Sequence, residues 1–472
     1  MEKKYNVGYV WFLSIVAAIG GILFGYDTAV ISGTVGLVKS QFALSSMHQG
    51  WYVGCALVGS IFGVLVAGVL GDRFGRKKTM LLSAFLFTLS AVGCALSADF
   101  NQLVVYRIIG GVGIGIVSII SPLYISEVSI PKYRGSLVSL YQLAITVGFL
   151  MAYMVNYFLL SSAQSGGTYS CVLMERLFRT ELWRGMLGME TLPAMLFLVI
   201  IFFIPESPRW MILRGRYESA SSVLLKIFKT REEADSQLSL TRSVVEKSSS
   251  SGSEFKYLFS GGIRVALFIG IAIAMLGQFM GVNAVLYYGP VIFEKAGLSS
   301  GDSLFSQVLV GVVNMLTTVL ALIIIDKVGR KKLVYYGVSG MIISLLLIGF
   351  YFMYGASLGI SSIFLLVFFL LYIFCCAISI CEVVWVLLSE MYPIKVRGLA
   401  MSIAGLALWI GTYLIGQLTP WMLENIKPQG TFFLFAAMCV PYILIMWKAV
   451  PETTGKSLEE IEEYWTKKGQ GK

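Results

Sequence analysis

Long apolar runs broken by short polar segments fill most of this chain. A helix needs about 20 apolar residues to cross the hydrocarbon of a bilayer. Twelve runs meet that length, at roughly 9–35, 50–71, 79–98, 103–125, 136–160, 187–204, 264–290, 304–326, 333–354, 361–389, 399–421 and 431–450. Open sheet edges cannot be satisfied in lipid, so the runs are predicted helices. One long polar segment, 205–263, separates the sixth run from the seventh. Inside it, Tyr217–Phe228 has an amphipathic pattern, more helix is expected after Thr230, and Ser248–Ser253 reads as a Ser-rich linker. Gly455–Trp465 reads as a short acidic helix. The predicted organisation is a six-helix half over 1–204, a helical linker over 205–263, a second half over 264–450 and a tail over 451–472.

The two halves share motifs in the same order. Asp72-Arg73-Phe74-Gly75-Arg76-Lys77-Lys78 returns as Asp326-Lys327-Val328-Gly329-Arg330-Lys331-Lys332. Glu127 and Arg134 return as Glu390 and Arg397, and Pro205-Glu206-Ser207 returns as Pro451-Glu452-Thr453. Gly25-Tyr26-Asp27 aligns with Gly281-Val282-Asn283. Such a half-length repeat in an apolar chain predicts an all-α membrane protein of two six-helix, pseudo-symmetric halves. Carboxylates and arginines at the helix ends predict clamps between neighbouring helices. The residues are Asp72, Arg73, Arg76, Glu127, Arg134 and Glu206 in the first half, and Asp326, Arg330, Glu390 and Arg397 in the second. Pairs at a wet rim are weak enough to break and reform. The plainer reading of such residues is a set of orientation signals. It accounts for loop lysines but not for acidic residues, which contribute little to orientation.

Composition narrows the class. The chain is 57% hydrophobic and 13% charged, and its mean hydropathy is +0.80. Soluble proteins carry about 25% charged residues, so lipid must cover part of this surface. The net charge of +10 is oriented rather than clustered for nucleic acid. With Met1 placed in the cytoplasm, only Lys39, Arg176, Arg179, Arg184, Lys295 and Lys427 of the 36 lysines and arginines fall on the far side, and Arg107 falls inside a run. That asymmetry predicts both termini in the cytoplasm. No small-residue cleavage site closes the first run, so no cleaved signal peptide is expected. His48 is the single histidine and the seven cysteines show no Cys-x-x-Cys spacing. No metal, no cofactor and no enzymatic activity are therefore expected.

Polar residues inside the runs carry the candidate chemistry. Asp27, Arg107 and Glu382 are charges at membrane depth, where charges are costly and functional. Asp27 and Arg107 have opposite signs and can pair across the first and fourth helices, either as a proton-responsive pair or as a static packing contact. Gln142, Gln278, Asn283 and Asn314 are amides that must face the bundle interior. There they either bind a polyhydroxylated ligand or join helices to one another.

These motifs resemble those of the sugar porter family of the major facilitator superfamily, over nearly the whole chain. Gly68-x-x-x-Asp72-Arg73-x-Gly75-Arg76-Lys77 is similar to the superfamily loop signature. Pro205-Glu206-Ser207-Pro208-Arg209-Trp210 and Pro451-Glu452-Thr453-Thr454-Gly455 are similar to the signatures closing each half. The run from Gly20 to Gly33 resembles the first span of bacterial sugar–proton symporters with a pentose substrate. The resemblance implies a major facilitator fold, alternating access and a mid-membrane monosaccharide site. It assigns sugar contacts to Gln142, Gln278, Asn283, Tyr287, Asn314, Trp385 and Trp409, and an aromatic lining to Phe24. It assigns proton coupling to Asp27 with Arg107, since uncoupled facilitators carry asparagine at the Asp27 position. Gly277, Cys381-Glu382 and Leu408 depart from the family, which has a glutamine, Gly-Pro and a polar residue there.

The expected function is uptake of a monosaccharide, D-xylose or a similar pentose or hexose, with a proton. The expected setting is the bacterial inner membrane, with lipid as partner and a monomeric chain. The alternatives are an uncoupled facilitator and a non-transporting sugar sensor. Such a sensor would carry a long signalling tail, whereas about 20 residues follow the last run here.

Overall fold

The computed structural model describes residues 5–130, 133–166, 171–247, 257–259, 261–393, 396–453, 460–461 and 464–465, without the side chains of 243–247 and 326. Every regular element among them is helical. Twelve helices are long and apolar enough to cross a membrane. In chain order, these spans are Val7–Gln41, Ser46–Phe74, Arg76–Leu96, Phe100–Val128, Arg134–Gln164, Leu182–Phe203, Gly261–Lys295, Ser300–Ile325, Arg330–Tyr354, Ser362–Met391, Arg397–Asn425 and Lys427–Lys448. Most overrun the apolar runs at one or both ends, because a helix continues until a cap or breaker stops it. The fourth starts where Asp99 accepts the Gln102 N–H at 2.9 Å. The eighth starts where Ser299 accepts the Asp302 N–H at 3.1 Å.

Glycines let the spans touch backbone to backbone. A Cβ at Gly59 or Gly63 on the second span would overlap the carbonyls of Ile108 or Val112 on the fourth. The contact is mutual: a Cβ at Gly115 would overlap the Ser60 carbonyl. Gly25 and Gly148 build the same kind of crossing between the first and fifth spans. In lipid, where apolar surface alone drives little association, such close approach is a main source of helix cohesion.

Two spans of the second half depart from a regular α-helix. The seventh breaks at Gly281, which takes a left-handed φ of 91° that a Cβ would disfavour. The Met280 carbonyl beside the break accepts the Tyr372 hydroxyl at 2.8 Å. Further along, Pro290 cannot donate to the Leu286 carbonyl one turn back. Tyr153 Oη at 3.0 Å and Gln307 Nε2 at 3.3 Å donate to it instead. The tenth span widens into a π segment at Ala377–Cys381, then resumes as an α-helix at Glu382. Glu382 thus does continue the helix, as its propensity predicts, but the turn ahead of it is not the regular α turn that propensity implies.

The chain forms two compact units: 1–30, 58–152 and 168–251 in the first, and 31–57, 153–167 and 252–472 in the second. The units differ from the division read in sequence, because the first, second and fifth spans each contribute to both. Inside the second unit, Gly50 lies so close to the Gln417 carbonyl that a Cβ would overlap it. Gln417 also donates to the Met47 carbonyl at 2.9 Å.

The linker forms helices Pro208–Leu213, Tyr217–Ile227 and Arg231–Lys247. The amphipathic helix expected at Tyr217–Phe228 ends one residue early and buries Ala220, Val223, Leu224 and Ile227. Ser248–Ser253 lies outside the described residues. Of Gly455–Trp465, only 460–461 and 464–465 are described.

Candidate functional site

In the first unit, Arg107 on the fourth span donates from Nη1 to Asp27 Oδ1 on the first span. Both residues are buried, Asp27 1% and Arg107 2% exposed. Gly110, one turn beyond Arg107, leaves room for the Ser90 side chain beside the pair: a Cβ there would overlap Ser90 Oγ. The second carboxylate oxygen, Asp27 Oδ2, has no hydrogen-bond partner among the described residues. A third buried charge, Glu190 on the sixth span, lies within electrostatic range of both. It is 2% exposed and its Oε1 likewise has no hydrogen-bond partner among the described residues. Two buried carboxylates thus lie in the field of one guanidinium, where desolvation costs several kcal/mol per ion. Besides the expected charges at depth, Asp27, Arg107 and Glu382, Glu190 is thus a fourth, which its place near the start of the sixth run does not single out. Glu382 is also buried, on the tenth span of the second unit.

In the second unit, the Gly281 break holds Gln278 and Asn283 on either side of a bend. Asn283 Nδ2 donates to Gln278 Oε1 at 2.7 Å, and Thr412 Oγ1 donates to the same oxygen at 3.1 Å. Gly411 lets Gln278 pack closely on the eleventh span, and the Trp385 ring lies near Gly405 of the same span. Tyr287, Asn314 and Trp409 are buried, while Trp385 is 40% exposed. In the first unit, Gln142 and Phe24 are half-buried on the fifth and first spans. Thr412 was not singled out in sequence; a hydroxyl in an apolar helix, three residues after Trp409, was the available signal.

The repeated motifs build the same network twice. In the first unit Arg76 donates to both oxygens of Glu127, each at 3.1 Å, and to Asp72 Oδ1 at 3.0 Å. Ser207 Oγ donates to Glu127 at 2.5 Å. In the second, Arg330 donates to Glu390 at 2.9 Å and Thr453 Oγ1 donates to Glu390 at 2.6 Å. Gly75 and Gly329, with φ of 97° and 94°, make the matching turns. Glu206 is not an ion-pair partner first of all. It accepts the backbone N–H groups of Arg76 and Lys77 at 2.8 and 3.1 Å, capping the third span. Burial pushes its carboxyl above the usual range, against the pull of the Ser207, Lys77 and Arg76 N–H groups and the Arg76 charge.

Not every expected clamp residue joins in. Arg134 and Arg73 are exposed and make no ion pair among the described residues. Arg397 donates to the Tyr392 carbonyl at 3.4 Å rather than to a carboxylate. Their place on the loop repeats does not bring them to an acid, because the buried arginine of each turn already occupies it. The side chain of Asp326 lies outside the described residues. Two further residues complete the first network. Trp210 Nε1 and Arg214 Nη2 each donate to the Asp72 carbonyl at 2.8 Å, capping the end of the second span.

Among the described residues no group of three metal-ligating side chains occurs. Residues 13–465 match the family described as sugar (and other) transporter. The chain is 38% identical over 467 residues to the arabinose-proton symporter of Bacillus subtilis (strain 168), covering 99% of this chain and 97% of that one. It is 36% identical over 505 residues to the D-xylose-proton symporter of Escherichia coli (strain K12), covering 100% and 99%. A partially occluded, inward open structure of the xylose transporter XylE from E. coli superposes with a TM-score of 0.81 at 35% identity, covering 95% of this chain and 100% of that one. Matched over residues 13–465 and alike in fold over nearly its whole length, the chain belongs to the sugar (and other) transporter family and has the major facilitator fold.

Proposed function

We propose that this transporter takes up a monosaccharide, a pentose such as D-xylose, together with a proton by alternating access. The observation that carries the coupling is the buried set Asp27, Arg107 and Glu190. Two carboxylates and one guanidinium balance in charge only when one proton is bound. A buried site that is neutral with one proton bound suits a proton that binds in one conformation and leaves in the other. Relatives named as arabinose-proton and D-xylose-proton symporters support the same reading.

The sugar is bound by amides that meet its hydroxyls and by aromatic faces that meet its C–H surfaces. Gln278 and Asn283 satisfy each other at 2.7 Å, and sugar hydroxyls replace that bond without leaving a buried amide unpaired. Asn314 and Gln142 extend the polar set; Tyr287, Trp385, Trp409 and Phe24 supply the faces. The Arg76–Glu127 and Arg330–Glu390 networks act as cytoplasmic gates. The excess of lysine and arginine supports a reading with both termini in the cytoplasm of a bacterial inner-membrane protein; in this proposal the chain works as a monomer.

The deciding experiment is uptake of radiolabelled monosaccharides into vesicles, with and without an imposed proton gradient. Accumulation above the external concentration, only with the gradient, is expected. Equal uptake without a gradient would make the protein a facilitator. No uptake of any sugar would overturn transport and favour a sensor.

A further inference from the structure

Span ten carries three cysteines that transport does not use, Cys375, Cys376 and Cys381. Cys376 and Cys381 have their sulfurs 3.7 Å apart. In an α-helix, residues five apart point about 140° away from each other. A π turn bonds i to i+5 and brings such residues to one side, and the π segment of this span runs from Ala377 to Cys381. The unusual turn is thus what makes the sulfurs neighbours.

The two thiols are unequally placed. Cys376 is 1% exposed, with Tyr372, Tyr442 and Cys439 around it. Cys381 is partly exposed. One sulfur can meet a solute, and the other can answer it only from within the helix.

We infer that Cys376 and Cys381 form a reversible dithiol, a modification site that a hydroperoxide closes into a disulfide across the π turn. The Cys381 sulfur takes the terminal oxygen of the hydroperoxide as its O–O bond breaks; an alcohol leaves and a sulfenic acid remains. The Cys376 sulfur then attacks the sulfenic sulfur. The S–S bond forms, and the hydroxyl leaves as water with the Cys376 proton. Two thiols lose two electrons in total, and one hydroperoxide becomes one alcohol and one water. The sulfurs must approach to about 2 Å, a movement within one turn of helix. A small dithiol reverses the reaction by exchange.

The clip ties the turn that leads into Glu382 and Trp385. Closing it slows sugar uptake; this consequence rests on the proposed transport, whereas the chemistry does not.

The test uses the full chain in lipid nanodiscs, with Cys171→Ser to remove the exposed thiol. After tert-butyl hydroperoxide, denatured protein should show two fewer maleimide-reactive thiols, restored by dithiothreitol. Peptide mass spectrometry should find residues 376 and 381 joined within one chain. Cys376→Ser should leave Cys381 at the sulfenic stage, trapped by dimedone, with no disulfide. An unchanged thiol count, a disulfide between two chains, or loss of Cys381 to sulfinic acid with Cys376 still free overturns the site. Two thiols lost with uptake unchanged would keep the site and overturn the brake. If reduced protein takes up no sugar, the transport reading fails while the thiol count still decides the clip.

Discussion

At the scale of single residues, the first unit holds charge where hydrocarbon punishes it. Replacing Arg107 by leucine leaves Asp27 and Glu190 without a cation and is expected to cost about 3–5 kcal/mol, the loss typical of breaking one side of a buried pair. Asp27→Asn should cost less, because Arg107 keeps Glu190 nearby. Thermal unfolding of the two variants in the same detergent checks the order. Transport separates them from simple packing residues: Asp27→Asn is expected to keep sugar counterflow and lose proton-driven accumulation. If that variant still concentrates sugar, Asp27 is not the coupling site. Asp27 and Arg107 were legible in sequence because a lone charge stands out in an apolar run. Glu190 was hidden by an end effect. In the run read as 187–204 it is only the fourth residue; the span begins at Leu182 and carries it inward.

At the scale of helices, cohesion rests on the backbone. Gly63→Val or Gly115→Val inserts side-chain atoms against a facing carbonyl, and overpacking costs about 1–3 kcal/mol even where neighbours can adjust. Both variants should lower the yield of folded protein on size-exclusion chromatography, whereas Gly68→Val, which has open space, should not. Around Pro290 the logic is polar. Tyr153→Phe and Gln307→Leu each remove one donor from the Leu286 carbonyl, for about 1 kcal/mol apiece. The double variant should lose more than the sum, since only then is the carbonyl orphaned; a double-mutant cycle on unfolding midpoints reads this directly. The seventh-span break is visible in hindsight at Gly281, whose Gln-x-x-Gly-x-Asn frame was noticed for its amides. The π turn of the tenth span left no such mark. Ala377-Ile378-Ser379-Ile380-Cys381 contains neither glycine nor proline; its one distinctive contact is tertiary, with Ser379 seated against Gly337 of the ninth span.

At the scale of the molecule, one device is built twice. Arg76, Glu127 and Ser207 do in the first unit what Arg330, Glu390 and Thr453 do in the second. Glu127→Gln and Glu390→Gln should therefore destabilise by similar amounts and add, because the two networks share no residue. Measured unfolding midpoints of both singles and the double decide this; strong non-additivity would mean the networks communicate. The ordered motif repeat made the doubling readable from sequence. It did not say which arginine of each loop finds the acid: Arg76 and Arg330 are buried in the turn, while Arg73 and Arg134 face outward.

The partition of the first, second and fifth spans has a genetic consequence. A tandem duplication would give two autonomous coding blocks, and a cut near residue 251 would release two folding products. Here the second unit borrows 31–57 and 153–167 from the first block. A fragment of 252–472 lacks the strands of chain that cover it at Gly416 and Leu286. It should aggregate when expressed alone and recover only beside a fragment carrying 1–251. The boundary of the motif repeat is not the boundary along which the chain comes apart.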